Sequence, residues 1–262
     1  LVDNDTNFGA ASYERNGYGH ITFVCDVGPT QFQEVRQAIA YLLDRNQFAK
    51  TFTKGYGAVV HGAYGLAMYE YKYNSKELAK LNQYNYSLEE ANKILDAGGW
   101  TLDANGNAWS GTGLRHKKLD DGTLMPLKIN WASSEDNAVS DLLATMLAEN
   151  ADVAAAGMQI EQTTMTFDEM YGEHYMNRQE DYYNMYNLAT GYSSPAYDVQ
   201  LSYAIDSPSN FSHIKDEQLA KLAKDMLAVS SENEAEYMGK WLSFQQRFNE
   251  LLPVLPLYSN TY

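Results

Sequence analysis

A single cysteine, Cys25, stands in a chain of 262 residues. No internal disulfide can form, so thiol content does not report the redox compartment. No run of roughly 18 apolar residues occurs, and with it goes any candidate membrane-spanning helix. Basic side chains are few: 19 Lys and Arg face 34 Asp and Glu, for a formal net charge of −15. A surface this negative repels phosphate backbones and anionic headgroups, which argues against nucleic acid and membrane surfaces as partners. It serves solubility and tolerates a cationic ligand. The opening Leu-Val-Asp-Asn-Asp-Thr-Asn-Phe has neither the basic nor the apolar stretch of a signal peptide, and no initiator Met. The expectation is a piece of a longer precursor. Only six prolines occur, and no linker, repeat or low-complexity tract interrupts the chain, so residues 1–262 read as one domain.

Catalytic signatures are also missing. The five histidines (His20, His61, His116, His174 and His213) are far apart and form no His-x-Glu or His-Glu-x-x-His pattern. Neither Gly-x-Ser-x-Gly nor a Walker glycine pattern is present. Asp103-Ala104-Asn105-Gly106-Asn107 imitates the start of a calcium loop. Ala108 holds its sixth position and Leu114 its twelfth, where Gly and Glu are required, so the segment reads as a turn. No catalytic residue, metal ligand or cofactor is nominated.

What is present is a core and many tyrosines. Hydrophobic residues make up 45% of the chain, enough for a sizeable interior. Tyr18–Cys25 alternates, with Ile21, Phe23 and Cys25 on one face and His20, Thr22 and Val24 on the other, as in a half-buried strand. Gly28-Pro29 turns into a helix carrying Val35, Ala38, Ile39, Leu42 and Leu43 on one stripe. Asp44-Arg45-Asn46-Gln47 and Ser87-Leu88-Glu89-Glu90 have capping-box spacing and predict two further helix starts. Residues 55–74 read as an ordered loop and Trp100–Trp109 as a hairpin. Strands are expected over Leu124–Trp131, Met158–Thr164, Tyr182–Leu188 (ending at Gly191) and Pro253–Tyr258. A long helix follows Ser133, another covers Phe167–Met176, and two near the end carry Leu219–Leu227 and Tyr237–Leu251. Strands and helices alternate, so the class is α/β with a mixed sheet flanked by helices. Tyrosine, at 21 residues, clusters at Tyr69-Tyr71-Tyr73, Tyr182-Tyr183-Tyr186 and Tyr192-Tyr197. Rings with a polar tip suit a cleft that grips a ligand without reacting with it.

Val35-Arg36-Gln37-Ala38-Ile39-Ala40-Tyr41-Leu42-Leu43-Asp44-Arg45 resembles the most recognisable segment of the family-five solute-binding proteins, the oligopeptide and dipeptide binders. Tyr86–Leu95 with Gly99-Trp100, Gly157-Met158-Gln159-Ile160-Glu161 and Leu252-Pro253-Val254-Leu255-Pro256-Leu257-Tyr258 are similar to further segments of that family, in the same order. The resemblance implies the second, C-terminal lobe of a periplasmic-binding-protein-like fold of type II, with the N-terminal lobe elsewhere in the same chain. It implies a substrate-binding component of an ABC importer: a peptide or related small solute held between two lobes and delivered to permease subunits. It implies an extracytoplasmic location, in the periplasm or at the cell surface on a lipid anchor. In the peptide binders a tryptophan and then an aspartate precede the proline matched by Pro195, and the aspartate pairs with the ligand's amino terminus. Here Leu188 stands at the tryptophan and Gly191 at the aspartate, so that charge would have to come from another acid, such as Asp198, or from the other lobe. The ligand-contacting positions expected from the resemblance are Leu188, Ala189, Thr190, Gly191, Tyr192 and Ser193, with Tyr64 and its loop as a further candidate. Two other readings are a hydrolase domain using two distant carboxylates and a module that only docks other proteins.

Overall fold

The computed structural model describes residues 11–178, 182–192, 197–230 and 232–262. Eight strands are present among them: β1 (Gly17–Phe23), β2 (Gly57–Ala58), β3 (His116–Lys118), β4 (Leu124–Pro126), β5 (Lys128–Ser134), β6 (Gln159–Met165), β7 (Met185–Gly191) and β8 (Val254–Asn260). Six of them form one mixed sheet in the order β2-β8-β1-β7-β5-β6, and β3 and β4 pair separately. β1 runs antiparallel to both β7 and β8, whereas β5 runs parallel to β6 and to β7. Outside the sheet, Tyr13 and Tyr262 exchange two backbone hydrogen bonds, so the segments at the two ends of the described chain lie side by side.

β1 sets the arrangement. All seven of its residues are buried, not one face only as its alternation predicts, because helices cover both sides of this interior strand. Ile21 and Phe23 face a core shared with Val35, Ile39 and Leu42 of α1 (Gln33–Leu42), with Leu95 of α5 (Leu88–Ala97), and with Ile129, Trp131 and Met185. Tyr18 belongs to a second core on the opposite face. There Leu219, Ala223 and Met226 of α9 (Glu217–Leu227) meet Trp241, Phe244 and Phe248 of α10 (Glu234–Leu251). Gly19 is required by close approach: a Cβ there would stand 2.4 Å from the ring of Tyr258, which lies across β1.

Local chemistry explains most boundaries. Asp44 caps α2 (Arg45–Thr53) by accepting from the Gln47 N–H, and Ser87 caps α5 by accepting from the Glu90 N–H, as both capping boxes predict. Asp103 Oδ1 accepts from the N–H groups of Asn105 and Asn107, closing the expected turn. The segment from Leu124 is two strands rather than one, because it changes partner at Leu127: its N–H bonds Arg115 C=O at the end of the β3–β4 ladder, and its C=O accepts from the Gln159 N–H where pairing with β6 begins. The long helix after Ser133 divides into α6 (Ala138–Leu143), a π-helical stretch (Ala144–Ala148) and α7 (Ala151–Ala155), the last capped by Asn150. Residues 55–74 are not all loop; they include β2 and the short α3 (Tyr69–Tyr73).

Three buried arginines tie loops to this frame. Arg36 donates to the carbonyls of Leu251, Leu252, Thr30 and Gln31. Arg45, next to the α2 cap, donates to Pro256, Val60 and Gln83 carbonyls. Arg115 bonds Ala156 and Trp100 carbonyls and the side chains of Asp96 and Asn92. A fork of fixed N–H groups satisfies carbonyls that irregular backbone would otherwise bury unpaired.

Replacing Arg45 by Met keeps volume but leaves those carbonyls without donors. Urea unfolding should show a loss of about 2–4 kcal/mol, and an unchanged midpoint would show that Arg45 is not such a staple. Two histidines are held neutral: burial, reinforced by Arg15 for His20 and by Arg45 for His61, lowers each to about 3. Both bind a proton more readily when unfolded, so their contribution is complete above pH ~6.5 and declines as pH falls toward 3. The thermal midpoint should therefore fall between pH 6.5 and 5. The fall should be shallower in a His20→Gln/His61→Gln variant; parallel curves would contradict this.

Candidate ligand-binding site

β7 runs on beyond its pairing with the neighbour on one of its sides. It pairs with β1 over all seven residues, from Met185 opposite Phe23 to Gly191 opposite Gly17. With β5 it pairs only at Met185 and Tyr186. The Tyr192 N–H donates to Asn16 C=O and the Val24 N–H to Asn184 C=O, which fixes the alternation of the strand. Leu188 and Thr190 turn their backbone groups toward β1, and Ala189 and Gly191 turn theirs outward. Among the described residues no strand pairs with that outward edge beyond Tyr186.

The edge is held from behind by a buried polar cluster. Asn187 Oδ1 accepts from Trp131 Nε1 at 3.0 Å, and Asn187 Nδ2 donates to Ser140 Oγ at 3.1 Å. Trp131 lies on β5 and Ser140 on α6, so the cluster fixes where β7 leaves its partner. Each member is satisfied, as burial demands.

A cavity of about 690 Å³ opens at this edge. β7 contributes Asn187, Leu188, Ala189 and Thr190, and β1 contributes His20. Asn137 and Val139 come from the start of α6 and Tyr258 from β8. Phe167, Tyr171 and Tyr175 come from the segment that contains a π-helix (Glu169–Met176). Ser202 of α8 (Gln200–Tyr203), Ser209 and Phe211 complete it. A smaller cavity of about 270 Å³ shares His20, Tyr175, Thr190, Ser202, Ser209 and Phe211, and continues past Gly191, Tyr192, Tyr18 and Asp198. Together they form one groove along the far half of β7. A hollow this size at a strand's carboxyl end is a usual ligand position.

The electrostatics are plain. Among the described residues, no Asp, Glu, Lys or Arg lines the larger cavity, and Asp198 is the one carboxylate lining the smaller. His20, 6% exposed, accepts or donates through Nδ1 to Thr22 Oγ1 at 3.2 Å and stays neutral near pH 7. Burial also raises the phenols of Tyr18 and Tyr192 well above their usual range, and takes Tyr175 to about 12. These rings are neutral hydrogen-bonding groups at physiological pH. The facing pair of acids that carboxylate hydrolysis requires is not found in either cavity among the described residues, and no group of His, Cys, Asp and Glu suited to a metal ion occurs among them.

Of the expected contact positions, Leu188, Ala189 and Thr190 line the larger cavity, and Gly191 and Tyr192 the smaller. Tyr192 is half-buried, its ring 4.9 Å from Tyr197 and its hydroxyl 3.4 Å from that of Tyr18. Ser193 lies outside the described residues. Tyr64 is 2% exposed, packs against Tyr71 and Trp241, and lines neither cavity. Sequence reasoning missed His20, Asn187, Phe211 and the Phe167–Tyr171–Tyr175 wall. The last had a legible signal, aromatic residues four apart in a segment expected to be helical.

Comparison with known proteins follows the same lines. The family model described as bacterial extracellular solute-binding proteins, family 5 Middle, matches residues 1–212. The oligopeptide-binding protein OppA of Lactococcus lactis subsp. cremoris (strain SK11) is 24% identical over 233 residues, covering 87% of this chain and 36% of that protein. Among solved structures, the oligopeptide-binding protein AppA of Bacillus subtilis, in complex with a nonapeptide, superposes with a TM-score of 0.77 at 18% identity. The match takes in 99% of this chain and 48% of that one. NikA of Brucella suis, in complex with Fe(III)-EDTA, gives 0.72 at 18% identity with the same coverage. The chain thus spans about half the length, or less, of the relatives it matches. At these identities the structures establish the shared fold, and the family match over most of the chain establishes membership: the chain belongs to family 5 of the bacterial extracellular solute-binding proteins.

Proposed function

We propose that this chain is one lobe of the substrate-binding component of an ABC importer, and that its ligand is a peptide or related small solute lying extended along β7. One observation carries the reading. Ala189 and Gly191 present backbone donors and acceptors on an edge that β5 has left, beside a groove deep enough for side chains. An extended chain adds to such an edge as a further strand, its main chain supplying affinity and the adjoining pockets selectivity. The relatives fit this use: two are named for binding oligopeptides, and one of those holds a nonapeptide.

The second lobe is proposed on length, since the chain accounts for about half of the solved relatives. Ligand contacts to both lobes would shift the population toward a closed form, and the closed form would dock on the permease. No step in this cycle requires covalent chemistry. The family's extracellular description supports work outside the cytoplasm, in the periplasm or at the cell surface on a lipid anchor. Gly191 offers no charge for a ligand's amino terminus, so recognition in this lobe rests on the backbone edge, with Asp198 as the nearby acid.

Ala189→Pro removes the outward N–H without touching the ladder to β1, which uses Leu188 and Thr190. In full-length protein, calorimetric affinity for extended peptides should fall about tenfold, on the order of 1.4 kcal/mol. Unaltered affinity would remove the strand-addition reading. Tyr192→Ala should also weaken binding, because its ring lines the groove. Peptide affinity that survives this change intact would withdraw Tyr192 from the contact set.

A further inference from the structure

Phe167, Tyr171 and Tyr175 stack as a ladder, with ring centroids 5.3 and 5.5 Å apart and planes tilted by only 10° and 26°. Tyr175 continues into Phe211 at 5.0 Å, which turns the ladder into a corner. All four rings line the larger cavity. The inner end is anchored, Tyr175 meeting Tyr186 of the sheet edge-on at 5.3 Å. The outer end is not covered: Phe167 is 51% exposed and Tyr171 37%. The described chain therefore holds a rigid row of aromatic faces at the groove and leaves the outer two open to what enters it.

The rest of the wall decides what that is. The chain carries a formal charge of −15, yet among the described residues none of the four charged types lines this cavity. An anionic group placed there would lose water without gaining a partner of opposite charge, and a cationic one would exchange its water for the ring faces alone. A flat, uncharged group would bury apolar area and take an offset-stacked position on the ladder. Asn137, Ser202 and Ser209 offer polar contacts at its edge.

We propose that the Phe167–Tyr171–Tyr175 face is a subsite for a flat, uncharged group of the ligand, and that it makes this lobe selective for aromatic over charged side chains. This rests on the reading that an extended ligand lies beside β7, the strand that forms the same cavity. The shared chemistry is a flat apolar face, which a peptide supplies as an aromatic side chain and a saccharide as a pyranose ring.

The test is calorimetry on full-length protein, using peptides of one length in which each position in turn is Ala, Phe, Lys or Asp, with cellobiose and cellotriose as a second arm. The expected result is one position at which Phe binds at least tenfold more tightly than Ala, while Lys and Asp bind more weakly than Ala. In Tyr171→Ala the Phe-to-Ala ratio at that position should drop to about twofold or less. Phe167→Ala, changing a more exposed ring, should lower the same ratio and serves if Tyr171→Ala does not fold. Peptides that bind with no aromatic preference at any position would overturn the subsite and leave the peptide reading standing. So would a Tyr171→Ala variant that weakens Phe and Ala peptides equally. Saccharide binding lost in Tyr171→Ala, with no peptide bound, would support the subsite and overturn the peptide reading. Binding of neither class would overturn both.

Discussion

β7 is bonded to β1 along its whole length and to β5 at only two residues, and the groove depends on that mismatch. Backbone groups in a sheet must pair with a neighbour, with water or with a ligand. At Tyr186 β7 loses one neighbour and keeps the other, so its far half stays straight and ordered while one side of it opens. The buried Asn187–Trp131–Ser140 cluster holds the point of separation. Side chains from α6, α8, the π-helical segment and the Ser209–Phe211 stretch converge around the exposed edge. A strand edge left open on the surface is a liability for aggregation. Set at the bottom of a groove, it accepts only what the groove admits.

Charge follows the same division. The acidic surface and a groove whose described lining holds Asp198 as its one carboxylate come from one composition, with other carboxylates spent on helix caps and ion pairs such as Asp216–Arg247 and Asp26–Arg178. Buried arginine goes to loop carbonyls instead of to the groove. His20, the titratable group at the floor, is kept neutral by burial and Arg15. Among the described residues, no charged side chain stands on the floor of the larger cavity.

Much of the frame was legible in the sequence because it is local. The alternation of Tyr18–Cys25, the stripe from Val35 to Leu43 and the two capping boxes depend on neighbours a few residues away, and the structure has each of them. The burial of both faces of β1 was not legible, since it depends on α9 and α10, two hundred residues further on. The π-helical stretches were invisible for a related reason: tertiary packing, not periodicity, selects i→i+5 bonding. At the site, Leu188 to Tyr192 were nominated by likeness to a family, and they line the candidate groove. The residues facing them from Asn137, Phe167–Tyr175 and Phe211 were not, because only the fold brings them together. Tyr64 shows the limit of residue type as a guide. A tyrosine in a Gly- and Tyr-rich loop looks like a contact, and this one is packed against Trp241 in the second core.

The central claim is that a ligand completes the open edge of β7. Residue-resolved amide hydrogen exchange across Asn187–Gly191, with and without a bound peptide in full-length protein, reads that edge directly. The account predicts that peptide slows exchange sharply at Ala189 and Gly191. Leu188 and Thr190, already bonded to β1, should be protected in both states. Bound peptide that leaves the Ala189 and Gly191 amides exchanging as fast as before would contradict it.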